Sequence, residues 1–299
     1  MPGMIGGALA LVALLSLQRD STLLFAQVRA LTLDETRQSA KPAAFDPPAS
    51  LPLMAMGFAN PVPELGDRRE LTYEQWVQHL AREADIAAQQ QPAHLSILAG
   101  DSLSLWFPAE SLPSHITWLN QGISGETSYG LLRRVKWLDR TQPKTIFIMI
   151  GINDLIRGIQ GDTILENQRE IVRHLKTAHP TAKIVIQSIL PHGGERASER
   201  YLNSVKDNPA ADEQPIPLWV KRIPEISNAS IQRLNQRLAL VAREEQVQFL
   251  DLHGQFANDE GNLRDDLTTD GLHLSPAGYA LWRSHLSPFL PAFSANQQF

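Results

Sequence analysis

Ile97-Leu98-Ala99-Gly100-Asp101-Ser102-Leu103-Ser104 is the stretch that decides how this chain folds. Its apolar first half predicts a buried strand, and the strand ends at the sharp turn Gly100-Asp101-Ser102. Such a turn leaves a serine hydroxyl at the carboxyl end of the strand. Because serine alone is a weak nucleophile, it needs a nearby base, usually a histidine that a carboxylate orients.

Three further blocks follow this stretch in the chain. They are Asn120-Gln121-Gly122-Ile123-Ser124-Gly125, Gly151-Ile152-Asn153-Asp154 and Asp270-Gly271-Leu272-His273. Each block alone is weak, but the four in this order resemble the SGNH (GDSL-type) hydrolase family over about residues 95–290. The resemblance implies a three-layer α/β/α, flavodoxin-like fold with a mostly parallel five-stranded sheet, and a serine enzyme that acts on ester bonds.

The resemblance also implies roles for five residues. Ser102 is the expected nucleophile, His273 the general base, and Asp270 the acid that fixes the tautomer of the histidine. The backbone amides of Ser102 and Gly122 and the side-chain amide of Asn153 are the expected oxyanion donors. Glycine suits position 122 because no Cβ keeps the backbone away from a ligand.

Residues beside these positions are interpreted as structural. Asp101 is expected to cap or turn the chain, Asn120 to brace its loop, and Asp154 to bond locally. Gly125 is interpreted as a helix-entry residue and Gly151 as a turn glycine.

Three aromatic or histidine positions leave alternatives open. Trp106 and Phe107 could line an acyl pocket or simply pack in the core. His192 lies at a predicted strand end near the site and stays a candidate. The other histidines outside the motif are interpreted as core or capping residues: His79, His94, His115, His174, His179, His253 and His285.

Strands and helices alternate through most of the chain. Nearly continuous apolar runs predict strands near 94–99, 116–120, 144–150, 183–189 and 247–252. Amphipathic patterns predict helices near 71–89 (with Thr72 as N-cap), 125–138, 163–178, 228–245 and 276–287. This alternation indicates a parallel sheet with helices on both faces, whose ligands bind beyond the carboxyl ends of the strands.

One long segment departs from the alternation. Residues 193–228 are polar and broken by prolines, which favours a loop. Since the segment leaves from the predicted catalytic face, we interpret it as a lid or substrate-recognition loop, with a surface insertion as the alternative.

The amino terminus carries an apolar run, Met4 to Leu17, of signal-peptide length. We expect residues 1–33 to be a signal peptide or membrane anchor, with a packed helix as the alternative. Residues 34–70 are expected to be a Pro/Ala-rich linker, 71–290 the hydrolase domain and 291–299 a tail. Export or membrane association is therefore expected, with a cytoplasmic protein as the alternative.

Composition narrows the choice of partners. A formal charge of -5 and the absence of a basic stripe argue against a nucleic-acid partner. Cysteine is absent, which removes thiolate chemistry and cysteine-ligated metals. No Gly-rich nucleotide motif opens a helix, and we expect no metal or organic cofactor.

The sequence thus predicts a serine esterase that acts on small carboxylic esters through an acyl-enzyme. Lipid acyl esters, lysophospholipids and O-acetyl groups of carbohydrates are the candidate substrates. The alternatives are an acyltransferase that passes the acyl group to a sugar hydroxyl, and a catalytically silent binding module on the same fold.

Overall fold

The computed structural model of the chain describes residues 71–206 and 215–291. The predicted leader 1–33, the predicted linker 34–70 and residues 292–299 of the predicted tail lie outside the described residues. In the described part of the chain, no helix combines the length and the apolar character that crossing a membrane requires.

Five strands form one sheet in which every neighbouring pair is parallel. The strands are β1 (Leu95–Gly100), β2 (Thr117–Gly122), β3 (Thr145–Met149), β4 (Lys183–Gln187) and β5 (Gln248–Leu250). Their order in the sheet is β2-β1-β3-β4-β5. The predicted five-stranded parallel sheet is confirmed, and each predicted strand agrees with an observed one to within about two residues.

Helices cover both faces of this sheet. They are α1 (Tyr73–Gln90), α2 (Ser102–Leu105), α3 (Ser128–Arg134), α4 (Ile152–Ile156), α5 (Gly161–Ala178), α6 (Gly194–Lys206), α7 (Leu218–Arg222), α8 (Asn228–Glu244), α9 (His253–Phe256) and α10 (Pro276–Leu286). Thr72 is the N-cap of α1 within a capping box, as predicted.

Side chains that alternate along β3 separate two apolar cores. Ile146 and Ile148 lie in one buried cluster with residues of α5 and α8. Phe147 lies in the other with Trp282 of α10. A strand that is covered on both faces needs apolar side chains at every position, which explains the continuous apolar runs in the sequence.

The expectation of a loop across residues 193–228 was wrong. Helix α6 fills Gly194–Lys206 and helix α7 fills Leu218–Arg222, whereas residues 207–214 lie outside the described residues. The apolar stripe of α6 is narrow, with Ala197 buried and Tyr201 and Leu202 packed against the core. Polar residues around this stripe concealed the helical period.

The carboxyl ends of β1 and β2 are joined by one buried arginine. Arg134 Nη2 donates to the carbonyl oxygens of Gly100 at 3.2 Å and Gln121 at 2.8 Å. Its Nε pairs with Glu126 Oε2 at 2.8 Å, and both side chains are at least 96% buried, with exposures of 4% and 3%. The pair therefore holds two strand ends at the edge where ligands are expected.

We expect Arg134→Met to lower the free energy of unfolding by about 3–5 kcal/mol, because it leaves the Glu126 carboxylate buried without its partner. Urea denaturation measures this change. The exposed Arg140–Asp85 ion pair supplies the control, since Arg140→Met should cost less than about 1 kcal/mol. Equal losses in the two variants would contradict the role of Arg134.

Candidate active site

Ser102 begins the short helix α2 directly after β1. Asp101 is the N-cap of α2, and its Oδ1 accepts the Leu103 amide at 3.0 Å, which confirms the expected capping role. Gly100 is required at this turn because a Cβ there would lie 2.2 Å from the Met149 carbonyl oxygen of β3. The close packing of β1 on β3 therefore sets where the serine lies.

Asp270 and His273 share one tight turn. Asp270 Oδ2 lies 2.6 Å from His273 Nδ1, and Asp270 Oδ1 accepts the His273 amide at 2.7 Å. Gly271 between them has a φ of +93°, a conformation that favours glycine. Thr268 closes the turn, since its hydroxyl donates to the His273 carbonyl at 2.6 Å.

The charge state of Asp270 follows from these contacts. Burial acts to raise the pKa of Asp270, but the hydrogen bond and charge of His273 and the backbone amides of His273 and Leu272 outweigh it. The net pKa of Asp270 is lower than its ordinary value. Asp270 is therefore an ionised carboxylate that can hold the imidazole by its Nδ1 atom.

Aromatic contacts bring this turn against the helix of Ser102. Trp106, four residues after Ser102, packs on the imidazole of His273 with ring centroids 4.3 Å apart. Tyr279 of α10 donates its hydroxyl to the Leu103 carbonyl at 3.1 Å. The beginning and the end of α2 are thus tied to the part of the chain that carries the Asp-His pair.

Asn153 lies in the first turn of α4, after β3. Gly151, the N-cap of this helix, has a φ of +133°, in agreement with its prediction as a turn glycine. The side-chain nitrogen of Asn153 is buried and has no hydrogen-bond partner within the described residues. A buried amide donor without an acceptor is rare, and here it is available to a ligand.

Three hydrogen bonds fix α4 against the segment after β2. Asp154 accepts the Ser128 hydroxyl at 2.6 Å and the Ser128 amide at 2.8 Å, so the expectation that Asp154 bonds locally was wrong. Arg157 Nη2 donates to the Gly125 carbonyl at 2.8 Å. The second and third sequence blocks are therefore held together by contacts across 26 and 32 residues.

The amide of Gly122 is engaged within the protein. It donates to Asn120 Oδ1 at 3.0 Å, and Asn120 Nδ2 donates to the Ser104 carbonyl at 2.6 Å, so Asn120 braces the loop as expected. A Cβ at Gly122 would lie 2.3 Å from the Leu105 amide nitrogen. Glycine is needed here because β2 approaches α2 closely, a reason that differs from the one the sequence suggested, the approach of a ligand.

Gly125 differs from Gly122 in the reason for the glycine and in the state of its backbone amide. It has a φ of +73° and occupies the third position of a turn closed by the Glu126 amide and the Ile123 carbonyl at 3.1 Å. That turn explains the glycine, so its interpretation as a helix-entry residue was wrong, since α3 begins at Ser128 after the N-cap Thr127. The Gly125 amide is half-buried and makes no hydrogen bond among the described residues.

The structure places Trp106, Phe107 and His192 in different environments. Phe107 packs in the core between Tyr279 and Trp282, whereas Trp106 reaches the site. His192 is buried, its Nδ1 accepts the Gly194 amide at 3.1 Å, and burial lowers its pKa to about 4. His192 is therefore a neutral structural residue at the start of α6.

Two aromatic residues at the site have no signal in the sequence blocks. Trp219 of α7 lies perpendicular to the His273 ring, with centroids 6.4 Å apart. Tyr201 of α6 meets Trp219 at 5.4 Å. Both come from the segment expected to be a loop, in which only the presence of aromatic residues among polar ones could have drawn attention to them.

A small apolar cavity of about 10 Å³ lies behind the site. Its lining includes Leu103, Ile152 and Leu272, which adjoin Ser102, Asn153 and His273 in the chain. Asp101 also lines it, and burial raises the pKa of Asp101 to about 7, with the charges of Asp154 and Glu126 adding to the effect. Within the described residues, no cluster of three acidic, histidine or cysteine side chains could hold a metal ion.

A parallel α/β/α sheet with a serine after β1 and a bonded Asp-His pair after β5 defines the SGNH class of hydrolases. The chain belongs to the GDSL-like lipase/acylhydrolase family, whose model matches residues 96–281. This membership confirms the predicted family and fold.

Individual relatives agree with this membership. The chain is 30% identical over 165 residues to platelet-activating factor acetylhydrolase IB subunit alpha2 from Rattus norvegicus, covering 54% of this chain. It spans only 59% of the length of that relative. A solved structure from Streptococcus pneumonia, described as a platelet activating factor, has a TM-score of 0.57 at 25% identity and covers 73% of this chain and 96% of its own.

A second solved structure supports the fold alone. A GDSL-like lipase from Bacteroides thetaiotaomicron superposes with a TM-score of 0.55 at 20% identity, over 71% of this chain and 95% of that one.

We expect Asp101 to make stability depend on pH. Its folded pKa of about 7 exceeds the ordinary value of 3.8, so the folded state holds a proton that the unfolded state loses between these values. Its contribution to the free energy of unfolding is complete below about pH 4 and falls as pH rises to about 7, by about 4 kcal/mol in total.

Asp101→Asn provides the comparison, since asparagine keeps the N-cap but does not titrate. Urea denaturation between pH 4 and 8 should show the stability of the natural protein falling relative to the variant. Parallel stability curves would contradict a raised pKa at Asp101.

Proposed function

We propose that the protein hydrolyses small carboxylic esters through an acyl-enzyme, with Ser102 as nucleophile, His273 as general base and Asp270 as the orienting acid. The observation that carries the proposal is the 2.6 Å contact of Asp270 with His273 Nδ1, on an imidazole that packs against Trp106 of the serine's own helix. A carboxylate on Nδ1 leaves Nε2 to accept the serine proton.

The reaction follows from this arrangement. Ser102 Oγ attacks the ester carbonyl carbon while His273 takes the hydroxyl proton, and the carbonyl oxygen becomes negative. When the intermediate collapses, the bond to the alcohol oxygen breaks and His273 delivers its proton to that oxygen. Water then repeats the sequence on the acyl-serine and releases the acid and Ser102.

The negative oxygen needs donors that are not already engaged. Asn153 supplies a buried side-chain nitrogen without a partner, and the Ser102 amide adjoins the reacting oxygen. For the third donor, the Gly125 amide replaces the predicted Gly122 amide, because Gly122 already donates to Asn120. Arg157 ties Gly125 to the helix that carries Asn153, which supports placing the two donors in one pocket.

The acyl group of the proposed substrate is short. The cavity beside Leu103, Ile152 and Leu272 has room for a group about the size of a methyl or a single water molecule. Its apolar lining suits the methyl end of an acetyl group. The rat relative bears the name of an acetylhydrolase, which agrees with a small acyl group.

A fluorophosphonate probe tests the nucleophile. We expect one label per chain, at Ser102, located by mass spectrometry of peptides, and we expect Ser102→Ala to lose both label and hydrolysis of acetate esters. Ser124→Ala is the matched control. It removes a half-buried serine beside Gly125, and the variant should still label at Ser102 as the natural protein does. Labelling that survives in Ser102→Ala, or a natural protein that never labels, would refute the proposal.

Asn153→Ala separates stabilisation of the transition state from substrate binding. Removing one oxyanion donor should lower kcat about 100- to 1000-fold and change KM little, because the donor acts chiefly on the charged intermediate. Asn203→Ala, at an exposed position of α6, is the control. A raised KM with unchanged kcat would mean that Asn153 holds substrate and is not an oxyanion donor.

A further inference from the structure

Trp219 lies beside the proposed catalytic pair although it belongs to none of the four sequence blocks. The Trp219 ring makes an angle of 89° with the His273 imidazole, with ring centroids 6.4 Å apart. It makes an angle of 71° with the Tyr201 ring, with centroids 5.4 Å apart. Trp219 is only 5% exposed and lies on α7, while Tyr201 lies on α6. The two inserted helices therefore form a wall of the site next to the imidazole.

The indole nitrogen of Trp219 has an unusual environment. It is buried and has no hydrogen-bond partner in the parts of the chain that the structure describes. Two other buried tryptophans are satisfied internally: Trp282 Nε1 donates to Gln187 Oε1 at 2.6 Å, and Trp118 Nε1 donates to the Pro113 carbonyl at 3.3 Å. Since buried donors are nearly always paired, the Trp219 donor needs an acceptor that residues 71–206 and 215–291 do not provide.

The proposed reaction indicates which half of a substrate supplies this acceptor. His273 delivers its proton to the departing alcohol oxygen, so the alcohol half of the ester lies next to the imidazole. The proposed function assigns the acyl half to the small cavity, whose lining includes Leu103 and Ile152. Because the Trp219 ring adjoins the imidazole, the alcohol half is the part of the substrate that lies near Trp219.

Local charge indicates that the acceptor is neutral. Asp270 is ionised. Burial is the main cause that raises the pKa of Tyr201 in the same wall, and the negative charge of Asp270 is the second. A phosphate or carboxylate held by Trp219 would lie close to this negative charge. A neutral ether, hydroxyl or carbonyl oxygen accepts from an indole N–H without that repulsion.

We propose that Trp219 is a specificity residue whose Nε1–H donates to a neutral oxygen on the alcohol half of the ester. The preferred substrates are then acyl esters of oxygen-bearing alcohols, the class that includes glycerol and sugar esters, over esters of simple alkyl alcohols. This inference rests on the proposed ester hydrolysis and extends it by naming the class of alcohol.

Two esters of nearly equal size test the inference. 2-Methoxyethyl acetate carries an ether oxygen where butyl acetate carries a methylene group, so the ratio of their kcat/KM values reports the extra hydrogen bond. Alkaline hydrolysis in solution gives the ratio that intrinsic reactivity alone produces. We expect the natural protein to exceed that ratio about fivefold, the size of effect that one neutral hydrogen bond gives.

Trp219→Phe keeps an aromatic ring but removes the N–H, and it should bring the ratio down to the solution value. The ratio is measured with both esters on one sample, so it does not depend on how much of the variant is folded. Trp219→Leu is a second variant without the donor, with the same expected fall. Trp137→Phe is the control, because Trp137 is exposed to 41% and should leave the ratio unchanged.

The outcomes separate this inference from the proposed function. A ratio that stays high in both Trp219 variants, or that equals the solution value in the natural protein, overturns the role of the indole donor. If the natural protein hydrolyses neither ester and takes no label at Ser102, the proposed function itself is wrong. Labelling at Ser102 together with a ratio equal to the solution value supports the esterase and refutes the role of Trp219 alone.

Discussion

The buried contact of Arg134 with Glu126 and with the carbonyl oxygens of Gly100 and Gln121 is the constraint on which the site depends. A buried guanidinium is tolerated only where its donors are satisfied, so these partners must stay in place. Two of them are carbonyls at the ends of adjacent parallel strands, Gly100 as the last residue of β1 and Gln121 as the last but one of β2. Ser102 follows one strand and the turn of Gly125 follows the other, so a single side chain fixes the spacing between the proposed nucleophile and the loop that faces it.

Hydrogen bonds and ring packing attach the other parts of the site to the segments that follow β1 and β2. Asp154 of α4 bonds to Ser128, and Arg157, the C-cap of α4, bonds to Gly125, which links Asn153 to the segment after β2. Trp106 packs on the imidazole of His273, which links the histidine turn to α2. Each proposed catalytic group thus lies on a short segment that is held from both sides. Such double attachment keeps donors and acceptors in place without reorganisation during the reaction.

The fold and the position of Ser102 could be predicted because they depend on local signals. Continuous apolar runs give the strands, and a Gly-Asp-Ser turn gives the end of β1. The choice between Gly122 and Gly125 could not be predicted, since it depends on which amide Asn120 already occupies. Trp219 could not be predicted either, because only the packing of α6 and α7 brings it to His273. Local sequence patterns predict strands, helices and turns, whereas the hydrogen-bond partners of polar atoms can be identified only in the assembled structure.

Asp101 shows how burial shapes the electrostatics around the nucleophile. Asp154 and Glu126 lie close enough to Asp101 at the edge of the sheet to raise its pKa, and Glu126 is paired with Arg134. Asp101 has one buried oxygen without a donor, which disfavours its charged form. Burial and the two neighbouring carboxylates raise its pKa to about 7. In the proposed reaction the ester oxygen becomes negative next to Ser102. A proton on Asp101 removes a negative charge from the neighbouring residue, so Asp101 then does not oppose the proposed oxyanion donors.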